Sequence, residues 1–262
     1  MVSKYIHKQC SLTQSSIYNV VRKEQLTHPI LYILSIIYLH RIMAAQTLMY
    51  FSLRARGEAL RFIARFGNLK VVDELITFPQ WMSGIKEAMP KKQLPVLKYG
   101  EDEKLMPESV DIGIFLAKQT NGKIVVNEEQ IKIAEECRDR PLSMINPIFN
   151  WFTAEESDKK IEEYFETVAL PTAKKFNDLL GEKVFLGGEN VGLGDFFYFH
   201  ILDLQHTLKP KISDIDELKG LFEWKKRMEN LNGVKEYLLE RPKTGLGKIG
   251  RDGSISNTRS LD

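Results

Sequence analysis

Two short stretches hold residue types whose spacing could do chemistry. In the first, Leu94-Pro95 stands directly before the apolar pair Val96-Leu97. Proline cannot donate to a β-ladder and restricts the residue before it. A cis bond at a strand entrance would leave the N–H and C=O of Leu94 unpaired, where a peptide could add as a further strand. In the second, Pro107-Glu108-Ser109 opens a run with apolar Val110, Ile112, Ile114, Phe115 and Leu116. A helix start exposes free N–H groups and favours an anion, so it could seat a carboxylate. Locally, an ordinary surface hairpin followed by a serine-capped helix accounts for the same residues.

The elements around these stretches read in a clear order. Thr47 to Phe51 is a short strand, Arg56 to Phe66 a helix with Leu60, Ile63, Ala64 and Phe66 inward, and Val71 to Phe78 a second strand. A strand–helix–strand unit implies parallel pairing with a right-handed crossover. Pro79 to Met89 reads as irregular with one helical turn, Val96–Lys98 and Lys104–Met106 as a hairpin, and Ser109 to Lys118 as a helix. Beyond a linker from Gln119 to Asn127, the pattern is helical throughout. The helices are Glu128 to Trp151 with kinks at Pro141 and Pro147, Asp158 to Leu180 with a bend at Pro171, Asp195 to Leu208, Glu217 to Leu231, and Val234 to Leu239. Phe196 to Leu202 is apolar nearly all round, which marks the buried centre of a helical domain.

Composition excludes several classes. With 262 residues, 43% hydrophobic and 27% charged, the chain can bury two modest cores. Net charge is +2, and residues 1–43 hold Lys4, Lys8, Arg22, Lys23 and Arg41 against Glu24 alone. The remainder is slightly acidic, with no basic excess to attract nucleic acid. Cys10 and Cys137 make no Cys-x-x-Cys redox centre and no disulfide framework, which suits a reducing compartment. Gly245 to Gly250 satisfies G-x-G-x-x-G, but after the last helix and before a polar tail it lacks the strand–turn–helix setting of a nucleotide site. His200 and His206 lie about 240° apart around a helix and cannot share a metal, so no metal site is expected.

Longer stretches carry a resemblance. Thr47-Leu48-Met49-Tyr50-Phe51 followed by Arg54-Ala55-Arg56-Gly57-Glu58 resembles the opening strand and helix of the cytosolic glutathione transferases. Gln93-Leu94-Pro95-Val96-Leu97 with Glu108-Ser109 resembles their glutathione-binding hairpin. Phe185-Leu186-Gly187-Gly188 through Asp195-Phe196, and Tyr237-Leu238 with Arg241-Pro242, resemble their second domain. The resemblance runs in order from Gln46 to Pro242 and is closest to the sigma class, which includes glutathione-dependent prostaglandin D synthases. It implies an α/β thioredoxin-like domain over residues 46–120 and an all-α domain over 128–242, with residues 1–43 an extension outside the fold and 243–262 a mobile tail.

The resemblance also implies roles. Tyr50 would donate its hydroxyl hydrogen bond to the glutathione sulfur, and Arg56 would supply positive potential beside it. Trp81 and Lys86 would take the glycine carboxylate, although a one-residue insertion near Gly84 loosens the match at Lys86. Gln93, Leu94 and Pro95 would hold the middle of the tripeptide. Glu108, where many relatives have Gln, and Ser109 would take the γ-glutamyl end. Three positions depart from the family. Gly192 stands where a Ser or Thr often caps the buried helix, Asp139 is the nearest acid to a partner-subunit aspartate, and Lys91 replaces an aromatic interface key. The alternative for Arg56 is a structural ion pair with Glu58 or with an acid at the domain interface.

The implied activity is conjugation of glutathione, a co-substrate, to small electrophiles by a cytoplasmic homodimer that needs neither nucleic acid nor membrane. Alternatives in the same fold are a prostaglandin D-type isomerase and a non-enzymatic crystallin-like ligand carrier. The electrophile pocket is expected near Leu53, Ile145, Phe149 and Trp151. Residues 1–43, with an apolar run from Ile30 to Leu39 too short to span a bilayer, are expected to be dispensable, with a targeting segment or a membrane-surface anchor as alternatives.

Overall fold

The computed structural model describes residues 46–139 and 154–241, together with the backbone of 248–249 and 255–256. Its first part is a four-stranded sheet of order β2-β1-β3-β4, made of β1 (Gln46–Phe51), β2 (Val71–Ile76), β3 (Val96–Tyr99) and β4 (Lys104–Pro107). Between β1 and β2 runs α1 (Glu58–Gly67), and β4 leads into α2 (Ser109–Lys118). β1 pairs parallel with β2 and antiparallel with β3, as the crossover and the hairpin demand. The remaining described part is helical: α3 (Glu128–Asp139), α4 (Ala154–Tyr164), α5 (Leu170–Leu180), α6 (Leu193–Leu208), α7 (Lys219–Glu229) and α8 (Val234–Glu240). The thioredoxin-like sheet unit followed by an all-helical unit is the expected fold class.

The register decides what meets at one end of the sheet. Met49 faces Val96 across β1–β3, and Val96 faces Pro107 across β3–β4. Tyr50 lies one residue beyond that row, opposite Leu75. The last turn of β1, the entrance of β3 and the exit of β4 therefore share one edge, and α1 and α2 both begin there. Both faces of the central strands are covered, Leu48 and Leu97 being buried on one and Met49 and Val96 on the other, while the edge strand β2 shows Val72 and Leu75 to solvent.

Several boundaries differ from the sequence expectation. α1 starts at Glu58 rather than Arg56, and the Arg56 N–H donates to the Tyr50 hydroxyl from the turn before it. β2 stops at Ile76 rather than Phe78, because Thr77 forms a capping box with Gln80: Gln80 N–H donates to Thr77 Oγ1 at 3.3 Å and Thr77 N–H to Gln80 Oε1 at 2.9 Å. The stretch expected to hold one helical turn is instead a chain of turns, Phe78–Gln80, Trp81–Ile85 and Lys86–Ala88, interrupted at Gly84. At Pro171 the helix does not break: a wide π turn at Phe165–Ala169 precedes α5 and absorbs the missing donor. Lys248–Ile249 pairs with Ile255–Ser256 as a two-residue ladder, in a stretch whose sequence shows no strand alternation. Pro141, Pro147 and Trp151 lie outside the described residues.

α6 is the centre of the helical part, with Leu193 through Gln205 all buried. It packs on α1 through Phe62–Phe199 and Phe66–Phe196, ring centroids 4.9 and 5.4 Å apart, so the two parts share one core. Its start is sealed. Asp195 accepts from the N–H groups of Leu186 (2.8 Å), Gly187 (3.0 Å) and Gly192 (2.7 Å) and from the Trp224 indole (2.8 Å). The Ser or Thr cap missing at Gly192 also has a physical reason. A Cβ there would lie 2.1 Å from Gln130 Oε1. Gln130, reaching over from α3, accepts the Gly194 N–H at 3.0 Å and donates to the Leu186 carbonyl at 2.9 Å. The capping acceptor comes from another helix.

Candidate active site

Tyr50 is buried at the end of β1, 5% exposed. Its hydroxyl oxygen accepts the Arg56 N–H at 3.1 Å, which leaves the phenolic proton free to donate elsewhere. The ring lies against Gly57: a Cβ at that position would come within 2.4 Å of Tyr50 Cδ1, so only glycine admits this packing. Burial raises the phenol above its usual pKa, against the opposing pull of Arg61 and Arg56. At neutral pH Tyr50 is therefore an O–H donor and not a phenolate.

Arg56 does not pair with Glu58. That carboxylate is taken by Arg61 (3.0 Å), Tyr237 (3.1 Å) and Arg241 (3.3 Å). Arg56 Nε is buried with no hydrogen-bond partner. Arg56 and Ser109 line one small cavity with Cys137, Arg138, Phe197 and His200, so the starts of α1 and α2 meet there. His200 is neutral: burial, then the nearby Arg54, pulls its pKa down to about 3 despite Asp203. Burial pushes the Cys137 thiol well up, which makes it an inert packing residue.

The hairpin side is open. Leu94-Pro95 is cis, and no hydrogen bond among the described residues engages the N–H or C=O of Leu94. Gln93 is exposed beside it and Pro95 is buried under it. At α2 the N–H groups of Ser109, Val110 and Asp111 find no acceptor among the described residues, and Ser109 Oγ makes no hydrogen bond. Glu108 sits at φ 70°, a conformation that costs a non-glycine residue about 1–3 kcal/mol and is typical of functional sites. Its carboxylate receives Lys91 Nζ at 2.7 Å. Lys91, expected to mark a polar interface, thus pairs within its own chain beside the helix start.

Trp81 packs edge-on against Phe51 (5.7 Å) with Met49 and Ile76, and its indole N–H has no partner among the described residues. Lys86 is half-buried one turn further on. The sheet edge and the two helix starts thus gather Tyr50, Arg56, Leu94, Pro95, Glu108 and Ser109, with Trp81 beside Phe51 at the rim. Unsatisfied donors dominate: an indole N–H, helix-start N–H groups, a hydroxyl, a guanidinium and a phenol. Such a set binds an extended anionic ligand and steadies negative charge near Tyr50. Among the described residues no group of three or more His, Cys, Asp or Glu could hold a metal.

Sequence reasoning missed three residues that build this site. Arg61 lies beneath the Tyr50 ring, its guanidinium 5.7 Å from the ring centroid. Gly57 makes room for that ring, and Lys91 neutralises Glu108. The spacing of Glu58 and Arg61, three apart on one helix face, was the available signal for the first. Ile145, Phe149 and Trp151 lie outside the described residues, and the Leu53 carbonyl accepts from Arg61.

Comparison with known proteins gives four findings. Residues 143–241 match the family model described as the glutathione S-transferase C-terminal domain. The chain is 26% identical over 204 residues to hematopoietic prostaglandin D synthase of Mus musculus, covering 76% of this chain and 98% of that protein. It is 28% identical over 205 residues to a putative glutathione S-transferase alpha-2 of Dictyostelium discoideum, covering 76% and 96%. Among solved structures, the sigma class enzyme of Fasciola hepatica superposes with a TM-score of 0.66 at 28% identity, covering 77% of this chain and 98% of that one.

Proposed function

We propose that this chain is a member of the glutathione transferase family, that it activates the glutathione thiol through Tyr50 and that it conjugates it to small electrophiles. One observation carries the reading. A buried, protonated Tyr50 has its oxygen held by the Arg56 N–H and its own proton uncommitted, at the sheet end where unsatisfied donors gather.

A free thiol of this kind has a pKa of about 8.5, so little is ionised at neutral pH. A phenol O–H aimed at the sulfur favours the thiolate without giving up its own proton, and each pKa unit removed is worth about 1.4 kcal/mol. Arg56 adds positive potential. The cysteinyl backbone pairs with the open N–H and C=O of Leu94, positioned by Pro95 and flanked by Gln93. The γ-glutamyl carboxylate sits on Ser109 and the start of α2. Glu108 turns a lone pair to the ammonium group while Lys91 offsets its charge. Trp81 and Lys86 take the glycine carboxylate.

The test is conjugation to a generic aryl halide, run beside Tyr50→Phe. Both rings pack alike, so only the hydroxyl is lost. Turnover should fall about 10²–10³-fold, the usual loss for a donor aimed at resident negative charge. Glutathione affinity should stay within a small factor, and the rate should recover as pH rises. Wild-type turnover with an unchanged pH profile removes Tyr50 from the mechanism and moves attention to Ser52.

A second reading is glutathione-dependent isomerisation of a prostaglandin endoperoxide. The similarity to hematopoietic prostaglandin D synthase supports it, and product analysis with that substrate decides it. The protein is further read as a cytoplasmic homodimer. Among the described residues no helix is long and apolar enough to cross a membrane, and Cys137 is a free, buried thiol. Sizing at micromolar concentration tests the dimer, and the location of a fluorescent fusion of residues 1–43 tests the compartment.

A further inference from the structure

Arg61 is 7% exposed, and every one of its five N–H donors is used. Nε donates to Asp73 Oδ2 at 2.7 Å and Nη2 to Asp73 Oδ1 at 3.2 Å, a two-pronged grip on β2. Nη1 donates to Glu58 Oε2 at 3.0 Å and to the Leu53 carbonyl at 2.9 Å. Nη2 also reaches the Phe51 carbonyl at 3.2 Å. Two of these acceptors belong to the turn that follows Tyr50. That turn carries the Arg56 N–H back to the Tyr50 hydroxyl, while the guanidinium lies over the Tyr50 ring. Burial works against the charge, yet Glu58 and Asp73 beside it keep Arg61 ionised.

We propose that Arg61 is a positioning residue for thiol activation: it clamps the Phe51–Leu53 turn to β2 and thereby sets the Tyr50 hydroxyl against the Arg56 amide. The inference rests on the reading of Tyr50 given above. Only a guanidinium has the donors to do it. Lysine at this position keeps the charge but offers three donors without the planar fork, so it cannot hold two carbonyls and two carboxylates at once. Asp73, at the partly exposed sheet edge, anchors the clamp from outside the site.

The experiment reads the bound thiolate directly, by ultraviolet absorbance of the glutathione complex titrated against pH, in wild type, Arg61→Lys, Asp73→Asn, Tyr50→Phe and Arg61→Lys/Tyr50→Phe. Thermal stability and glutathione affinity are measured alongside. Arg61→Lys should move the thiol titration up by about one pH unit. Glutathione affinity should stay within about threefold, because the tripeptide's ends are held elsewhere. Asp73→Asn should move the titration the same way by about half as much. In the Tyr50→Phe background, Arg61→Lys should add nothing.

A drop in stability or rate with an unmoved titration overturns the proposal and leaves Arg61 a plain structural residue. An equal shift in the Tyr50→Phe background also overturns it, since Arg61 would then act on sulfur by charge. If Arg61→Lys does not fold, Asp73→Asn decides, and an unshifted titration there counts against the clamp. Failure of the underlying reading looks different: a wild-type protein that binds no glutathione, or a Tyr50→Phe titration identical to wild type, removes the function and the clamp together.

Discussion

The starts of α2 and α6 are built from the same free N–H groups and are used in opposite ways. At α6 the first amides are spent inside the fold: Leu193 donates to the Val125 carbonyl, Gly194 to Gln130 and Asp195 to the Gly192 carbonyl, while the Asp195 carboxylate collects three amides of the preceding segment and an indole. At α2 the amides of Ser109, Val110 and Asp111 are left open and the neighbouring Glu108 holds a strained backbone. A buried donor without a partner costs about 1–3 kcal/mol, so the core helix must be closed. At α2, where Ser109 and Val110 are themselves buried, that cost is carried in the unliganded fold and is recovered when an anionic ligand takes the amides. The difference marks α6 as closed scaffold and α2 as the end with donors to spare for a ligand.

The comparison can be broken most violently at Asp195. Asp195→Ala strands four buried donors, and unfolding in urea should show a loss of at least about 3 kcal/mol, or no folded protein. A variant with near wild-type stability would mean that the α6 start is not closed as described.

A pH effect follows from the same dry interior. His200 on α6 is held near a pKa of about 3, chiefly by burial and then by Arg54, with Arg241 and Arg61 adding to it and Asp203 opposing. In the unfolded chain the imidazole takes a proton near pH 6.5. Between those values the unfolded state binds more protons, so stability is complete above pH 6.5 and is lost steadily as pH falls toward 3. Urea midpoints from pH 7 to pH 4 should decline, and His200→Gln should flatten the decline. An equal slope in the variant assigns the acid sensitivity elsewhere.

Gly192→Ser sharpens the contrast, because cap preference alone says it should help. The added Cβ displaces Gln130 from two backbone groups, and the expected cost is about 1–3 kcal/mol. A stabilised variant would show that Gln130 yields without loss.

The mildest change to the fold is Ser109→Ala at the open end. Thermal stability should stay within about 0.5 kcal/mol of wild type. Loss of a charge-assisted hydrogen bond should weaken glutathione binding roughly 10–100-fold by calorimetry. Unchanged affinity would mean that the helix amides alone seat the carboxylate.

Much of this was legible from local residues. The strand–helix–strand opening, the hairpin and the all-apolar α6 follow from hydrophobic period and chain punctuation, which act over a few residues. Pro95 and Ser109 stand out because proline and a helix-start serine constrain the backbone where they are. The element edges were less accurate where a side chain engaged a backbone group, as Thr77 and Gln80 do at the end of β2. Gly192 looked like a weakened cap from sequence, since nothing nearby says that Gln130, some sixty residues earlier, fills the space.

By itself, the amino-acid order determined two packed units, the central helix, the hairpin and the residue types able to hold an extended anionic tripeptide. Tertiary structure alone decided which donors stay free. Glu58 went to Arg61, Tyr237 and Arg241 and not to Arg56. Lys91 went to Glu108, and Arg61 went to the turn after Tyr50. Hydrogen bonds and ion pairs are short-ranged and saturable, so their partners are settled only when distant segments arrive at the same few ångströms. Periodicity reports which face of an element is buried, but not what it meets there.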